Sequence, residues 1–132
     1  MKFEKSCGCI VVNEGKVLLV QHNAGHWDFP KGHMEENETE IETAIREVKE
    51  ETNIDVIPDE TKRYEQEYML ENGVLKQVVL FVARKTSNNI KAQESEVQNI
   101  KWFDFKEAAE IITYEDTRDL LLKALKENDY GK

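Results

Sequence analysis

Between Glu35 and Glu51 the chain carries eight glutamates and only two basic residues, Arg46 and Lys49. The same segment holds Ile41, Ala44, Ile45 and Val48 at i, i+3, i+4 and i+7, the spacing of one apolar helical stripe. Together the two patterns predict a helix over Thr39 to Thr52 that fixes its stripe on a core and turns an acidic flank elsewhere. Thr39 is the predicted N-cap, with Glu42 three residues on as its capping-box partner. Asn53 stands where the chain must leave through a left-handed turn, a position where Asn ranks second to Gly. On this helix Glu47, Glu50 and Glu51 fall at i, i+3 and i+4, beside the stripe. Like charges so spaced cost a few tenths of a kcal/mol per pair when exposed. The cost rises with burial, to about 4 kcal/mol for unit charges ~4 Å apart at an effective dielectric of about 20. Arg46 and Lys49 are rotated away from the middle of the cluster. Two readings stay open at this point. One is a solvated acidic face, the usual fate of a charge run. The other is a site for a hard cation such as Mg²⁺, which takes oxygen ligands in octahedral array.

The rest of the chain supplies strands for that helix to pack on. "SCGCIVV" and "KVLLVQ" flank "NEG" and predict a hairpin about Asn13 to Gly15. "HNAGHWDFPKGHMEENE" has no period and reads as a loop. "TKRYEQEYML", "LKQVVLFVARK" and "EVQNIKWFDF" read as strands, the second suited to a sheet centre, with a turn about Gly73. "KEAAEII" and "EDTRDLLLKALKE" read as helices, the latter with Leu121, Leu122 and Leu125 on one side. Strands mixed with helices on both flanks predict an α/β (α+β) arrangement, a sheet sandwiched between helices. The 132 residues suit one domain with one core, spanning 1–132.

Cys7 and Cys9, at i and i+2, point to one face of a strand, a poor geometry for a disulfide. They read as small buried apolar residues. His22, His26 and His33 share no zinc-type spacing with them. No stretch approaches the ~18 apolar residues of a membrane span, and the N-terminal segment, broken by Asn13, Glu14 and Lys16, does not read as a signal peptide. The default expectation is a reducing cytoplasm without membrane association. A net charge of −9 argues against stable nucleic-acid binding, which calls for a basic face. It leaves a phosphate ligand open, because bound divalent cations reverse the local field.

Gly32, Glu38, then Arg46-Glu47-Val48-Lys49-Glu50-Glu51, and finally Asn53-Ile54 resemble the Nudix box, G-x5-E-x7-R-E-U-x-E-E-x-G-U with U aliphatic. Asn53 is the one departure, and Asn tolerates the left-handed conformation that the glycine serves. The resemblance implies the Nudix fold, a mixed sheet between helices, and hydrolysis of a phosphoanhydride in a nucleoside diphosphate linked to another group, with Mg²⁺ or Mn²⁺. It places metal ligands at Glu47, Glu50 and Glu51 and at the backbone carbonyl of Lys31. It gives Arg46 and Glu38 the task of orienting the others, for which an Arg fork is suited.

"WDFPKGH", Trp27 to His33, is similar to the loop of asymmetrical diadenosine tetraphosphate hydrolases. Nucleotide-pool cleansers usually show P-G-G there, and RNA 5′-pyrophosphohydrolases P-Q-G. Lys31 is the discriminating residue, a cation able to meet the extra phosphates of a four-phosphate chain. "SEVQNIKWF" resembles a further segment of that subfamily, which makes Glu96 a metal ligand and, with Glu50, a candidate general base. Tyr68 and Tyr114 then fall where an adenine ring is stacked, and Lys76 where a phosphate is bound. His26 and His33 are candidate phosphate donors. Each has a plainer alternative: Tyr68 as strand packing, Tyr114 as a hydrophobic staple, Lys76 as an exposed lysine and Trp27 as core. The expected protein is a monomer or weak homodimer whose substrate is a nucleotide polyphosphate, diadenosine tetraphosphate giving ATP and AMP. The rivals are a nucleoside triphosphate pyrophosphohydrolase, an RNA 5′-end pyrophosphohydrolase, and a non-catalytic module that senses a nucleotide.

Overall fold

The computed structural model describes residues 2–92 and 97–128. In chain order its elements are β1 (Phe3–Asn13), β2 (Lys16–His22), β3 (Trp27–Asp28), β4 (Lys31–His33), α1 (Glu40–Thr52), β5 (Val56–Met69), β6 (Leu75–Lys85), β7 (Val97–Asp104), α2 (Phe105–Ile111) and α3 (Glu115–Glu127). The sheet is mixed, with strand order β3-β2-β1-β6-β5; β4 also pairs with β1 and β7 with β2. At its centre β1 runs parallel to β6, from Phe3 opposite Leu75 to Val11 opposite Ala83.

Period-two alternation on β1 and β6 divides the interior in two. Cys7, Cys9, Val11, Val79, Phe81 and Ala83 meet Ala44 and Val48 of α1 on one face. Ile10, Val78, Leu80 and Val82 meet Leu121, Ala124 and Leu125 of α3 on the other. The expected sheet between helices is therefore the observed one. Both cysteines are free and fully buried, and burial pushes both thiols up, Cys7 to about 11. Full burial of a side chain such as Val48 is worth about 1.5–3 kcal/mol, which anchors α1 and so aims its acidic flank.

α1 begins as its sequence predicts. Thr39 accepts from the Glu42 N–H, and Glu42 reaches back to the Thr39 N–H. It ends at Asn53 in the left-handed region, φ 66°, and the Asn53 side chain donates from Nδ2 to the Asn89 carbonyl at 2.8 Å. A glycine would supply the conformation without that bond. The hairpin also forms where expected, with Glu14 and Gly15 both at positive φ, the combination that matches strand twist in a tight turn.

Three expectations need correction. The loop before α1 contains two short strands, β3 and β4; β4 is held against β1 by pairing of Ser6, Cys7 and Gly8 with His33, Gly32 and Lys31. β5 starts at Val56 rather than Thr61, and a register shift between Pro58 and Arg63 accommodates the proline on this edge strand. On α3, Leu122 is 48% exposed, while Leu120 joins Leu121 and Leu125 in the core; Leu122 sits about 100° around the helix from Leu121, outside the buried stripe.

Candidate active site

β4 and α1 are brought together at the end of the sheet where β1 pairs with β4, and Gly32 is the point of closest approach. A Cβ built on Gly32 would lie 1.9 Å from Glu47 Oε2. The glycine is therefore required by the Glu47 carboxylate, which packs over its backbone with a side chain only 12% exposed. The neighbouring Lys31 N–H donates to Glu51 Oε1 at 3.0 Å. Glu51 is itself only 2% exposed, a buried carboxylate pinned by the loop it faces.

Arg46 organises the remainder. Its Nε and Nη2 grip both oxygens of Glu38 at 2.7 and 3.0 Å, a bidentate fork. Nη2 also donates to the His33 carbonyl at 2.9 Å, tying helix to loop. Nη1 bridges Glu47 Oε1 at 2.8 Å and Glu50 Oε1 at 3.1 Å. Glu38 further accepts from the Glu35 N–H and the Thr43 hydroxyl. The Arg46 bond first, and these after it, hold the Glu38 carboxyl down at about 2, and Glu38 first, then Glu47 and Glu50, raise the Arg46 guanidinium. Among the described residues no three His, Cys, Asp or Glu side chains form a ready cage for a metal ion. The donor chemistry nonetheless suits a hard divalent cation. Glu47, Glu50 and Glu51 offer only oxygen, one of them from a buried position, and Arg46 Nη1 is now the shared counter-charge of Glu47 and Glu50. Glu96 lies outside the described residues.

A groove of about 490 Å³ opens over these carboxylates. His26, His33, Lys31, Lys76 and Tyr68 line it with Glu47, Glu50 and Glu51. A second cavity, of about 500 Å³, shares His26, Lys31 and Tyr68 with it and adds Tyr114. The two therefore lie side by side, a charged groove and an aromatic-walled chamber that share these residues as a common wall. The His26 ring lies between His22, with centroids 4.7 Å apart, and Tyr114, 5.7 Å away. Tyr68 is 43% and Tyr114 54% exposed. Neither serves the core, and the staple reading of Tyr114 fails because Tyr114 is itself the N-cap residue of α3. Burial, first, raises the Tyr68 hydroxyl pKa, although Lys31 opposes the rise. Trp27 instead packs edge-on to Phe103, with centroids 5.1 Å apart, which supports its core alternative.

The two lysines differ from simple expectation. Lys31 is engaged by Asp28 at 2.5 Å; burial opposes its charge, but Asp28 and then Glu51 outweigh burial and its pKa is raised. Its backbone N–H, not its carbonyl, makes the contact with the Glu51 carboxylate. Lys76 is buried, not an exposed lysine. Its Nζ donates to Ser6 Oγ at 2.6 Å and lies 3.7 Å from Glu4, and burial, then Lys31, lowers its pKa. The His33 imidazole is mostly exposed and faces Glu4 at 3.6 Å. Sequence reasoning passed over Asp28 and Ser6. Ser6 carried a signal, a lone hydroxyl in an apolar strand; Asp28, in a stretch without period, carried none beyond its spacing to Lys31.

A profile of the NUDIX domain matches residues 2–125. The chain is 32% identical to a bis(5′-nucleosyl)-tetraphosphatase [asymmetrical] of Caenorhabditis elegans, over 90% of this chain and 92% of that protein. It is also 31% identical to the mRNA-decapping enzyme subunit 2 of Saccharomyces cerevisiae, over 94% of this chain, which spans only 13% of that longer protein. Among solved structures, a binary complex of a C. elegans Ap4A hydrolase superposes with a TM-score of 0.85 at 28% identity, covering 98% of this chain and 99% of that one. With the box residues gathered on β4, on α1 and in the turn between them, and the domain profile spanning nearly the whole length, the chain belongs to the Nudix family.

Proposed function

We propose that this Nudix hydrolase cleaves dinucleoside polyphosphates asymmetrically, with diadenosine tetraphosphate giving ATP and AMP. One observation carries the reading: the carboxylate groove adjoins the tyrosine-walled chamber, and His26, Lys31 and Tyr68 line both. A phosphate chain lying in the first places a nucleoside in the second. Glu47, Glu50, Glu51, Glu96 and the Lys31 carbonyl are the groups that would hold Mg²⁺ or Mn²⁺. When bound, the cation supplies charge neutralisation at the phosphate oxygens and makes water more acidic. Glu50, or Glu96, takes the proton from the attacking water. Arg46 and Glu38 lock the helix to the loop so that the carboxylates stay aimed. Lys76, with His26 and His33, binds phosphate oxygens away from the cleaved bond. Lys31 faces both spaces, and its charge, sustained by Asp28, sits where chamber and groove meet. Tyr68 and Tyr114 stack the base.

In this proposal residues 1–132 act as one catalytic domain, as a monomer or weak homodimer in the cytoplasm. No helix among the described residues is long and apolar enough to cross a membrane. The similarity to a decapping enzyme makes a capped or triphosphorylated RNA end the main competitor, but the net charge of −9 opposes the phosphate contacts an RNA body requires. Steady-state kcat/KM for diadenosine tetraphosphate, a nucleoside triphosphate and a 5′-triphosphorylated RNA, measured on one preparation, separates the three. The dinucleotide is expected to lead. A leading triphosphate or RNA would refute the assignment.

A further inference from the structure

The two lysines of the groove are held by unlike partners. Lys31 meets a charge, the Asp28 carboxylate at 2.5 Å. Lys76 meets a neutral oxygen: its Nζ donates to Ser6 Oγ at 2.6 Å. Ser6 is 3% and Lys76 8% exposed, and both line the groove. The Glu4 carboxylate stands farther from Lys76, at 3.7 Å, and also faces His33. Strand register explains the choice of partners. Glu4 lies opposite Lys76, and Ser6 opposite Val78, where β1 runs parallel to β6. Glu4 and Ser6 are i and i+2 on β1, so both rise from the face of the sheet that carries Lys76. Ser6 also pairs with His33 of β4, which brings its hydroxyl to the groove; among the described residues that line the groove, Glu4 has no place.

An ammonium only donates, so Ser6 Oγ is the acceptor in this bond. A buried ammonium with no acceptor suffers the full loss of its hydration. A carboxylate at hydrogen-bond distance would offset that loss but cancel the charge, as Asp28 does for Lys31. Ser6 satisfies one N–H and leaves the charge standing. Burial, the largest influence, lowers the Lys76 pKa, and Glu4 does not offset it, so the ammonium gains from an anion that enters the groove.

We propose that Ser6 is a positioning residue for substrate binding: its hydroxyl oxygen holds the Lys76 ammonium at the groove without cancelling its charge, so that the charge meets a phosphate of the substrate. This rests on the reading of the groove as the track of the phosphate chain. With alanine at this position the acceptor is lost, and the ammonium turns to Glu4, outside the groove lining.

The test compares Ser6→Ala, Lys76→Met and the double variant with the unaltered protein, each as the whole chain with Mg²⁺. In steady-state hydrolysis of diadenosine tetraphosphate, Ser6→Ala is expected to raise KM about tenfold. Its kcat is expected to stay within about twofold, because a grip on phosphates away from the cleaved bond is lost equally from ground and transition states. In isothermal titration with inorganic tripolyphosphate, Kd is expected to rise by the same factor. In the Lys76→Met background, Ser6→Ala is expected to change neither value further, because the two residues act as one unit. A KM and Kd for Ser6→Ala within about twofold of the unaltered values overturns the inference. So does an equal rise in both backgrounds, which would mean that Ser6 acts without Lys76. Equal tripolyphosphate affinity in Lys76→Met and the unaltered protein would remove Lys76 from the phosphate track, and the inference falls with it. The expected tripolyphosphate pattern in a protein that leaves diadenosine tetraphosphate untouched would refute the substrate assignment and sustain the role of Ser6.

Discussion

Gly32→Ala tests whether the box glycine serves the backbone or the carboxylate above it. Gly32 is not among the residues at positive φ, so alanine meets no backbone strain there. Its new methyl would stand 1.9 Å from Glu47 Oε2 and 2.1 Å from the carboxyl carbon. Restoring an ordinary contact of 3.4 Å moves the carboxylate by about 1.5 Å. That group is the far end of a flexible side chain, so stability should fall by only about 1–3 kcal/mol. Activity should fall much further, because a displacement of this size at a reacting centre costs about 10²-fold or more, about 2.7 kcal/mol of transition-state stabilisation. Thermal unfolding and kcat with saturating Mg²⁺, measured on the same preparation, read the two effects separately. A variant that keeps activity within about threefold would refute the claim that Glu47 must sit over Gly32 for turnover. A loss of about 5 kcal/mol in stability would show instead that the glycine is needed by the fold.

Other outcomes follow from the same geometry. Glu51→Gln preserves the acceptor for the Lys31 N–H and should leave the melting temperature nearly unchanged while turnover with Mg²⁺ drops about 10²-fold or more; near-normal turnover would remove Glu51 from the metal-holding set. Glu38, bound first by Arg46, and Glu40, bound first by Arg63, both have carboxyl pKa values lowered from 4.5 to about 2. Their stabilisation is complete above pH about 4.5 and is lost as pH falls toward 2, so the melting temperature should decline through that window, and a flat profile there would contradict the pairing. Asn53→Ala should cost about 1–2 kcal/mol through the left-handed conformation, whereas Asn53→Gly should stay within about 0.5 kcal/mol; equal loss in both, by chemical denaturation, would transfer the effect to the Asn89 contact.

What the sequence disclosed followed from regular patterns. The Thr39 cap, the Asn53 exit and the carboxylates of Glu47, Glu50 and Glu51 obey helical spacing and are found where it puts them; of the α1 stripe, Ala44 and Val48 are buried and Ile41 packs partly against the core, but Ile45 is 38% exposed. The alternation that buries Cys7 and Cys9 is likewise a period-two signal. β3 and β4 were invisible because two- and three-residue strands are too short to show a period; their pairing with β2 and β1 makes them strands. Leu122 was misplaced because three leucines in a row, Leu120 to Leu122, leave the buried pair undecided until α3 is set against β6. Asp28 and Ser6 were missed for another reason. Each matters through a partner distant in sequence or a bond across elements, such as the 70-residue separation of Ser6 and Lys76, and no local pattern encodes it. The same holds for the adjacency of groove and chamber, which arises only once β4, β5 and the start of α3 converge.

The central claim is asymmetric cleavage of a dinucleoside polyphosphate at the α1 carboxylates, and the products of diadenosine tetraphosphate hydrolysis test it most directly. Chromatography of the reaction with Mg²⁺ should show ATP and AMP rising in equal amounts, and both rising more slowly, by about 10²-fold or more, in a parallel reaction with Glu51→Gln. Accumulation of ADP alone, or an untouched dinucleotide in a preparation that releases pyrophosphate from a nucleoside triphosphate, would contradict it.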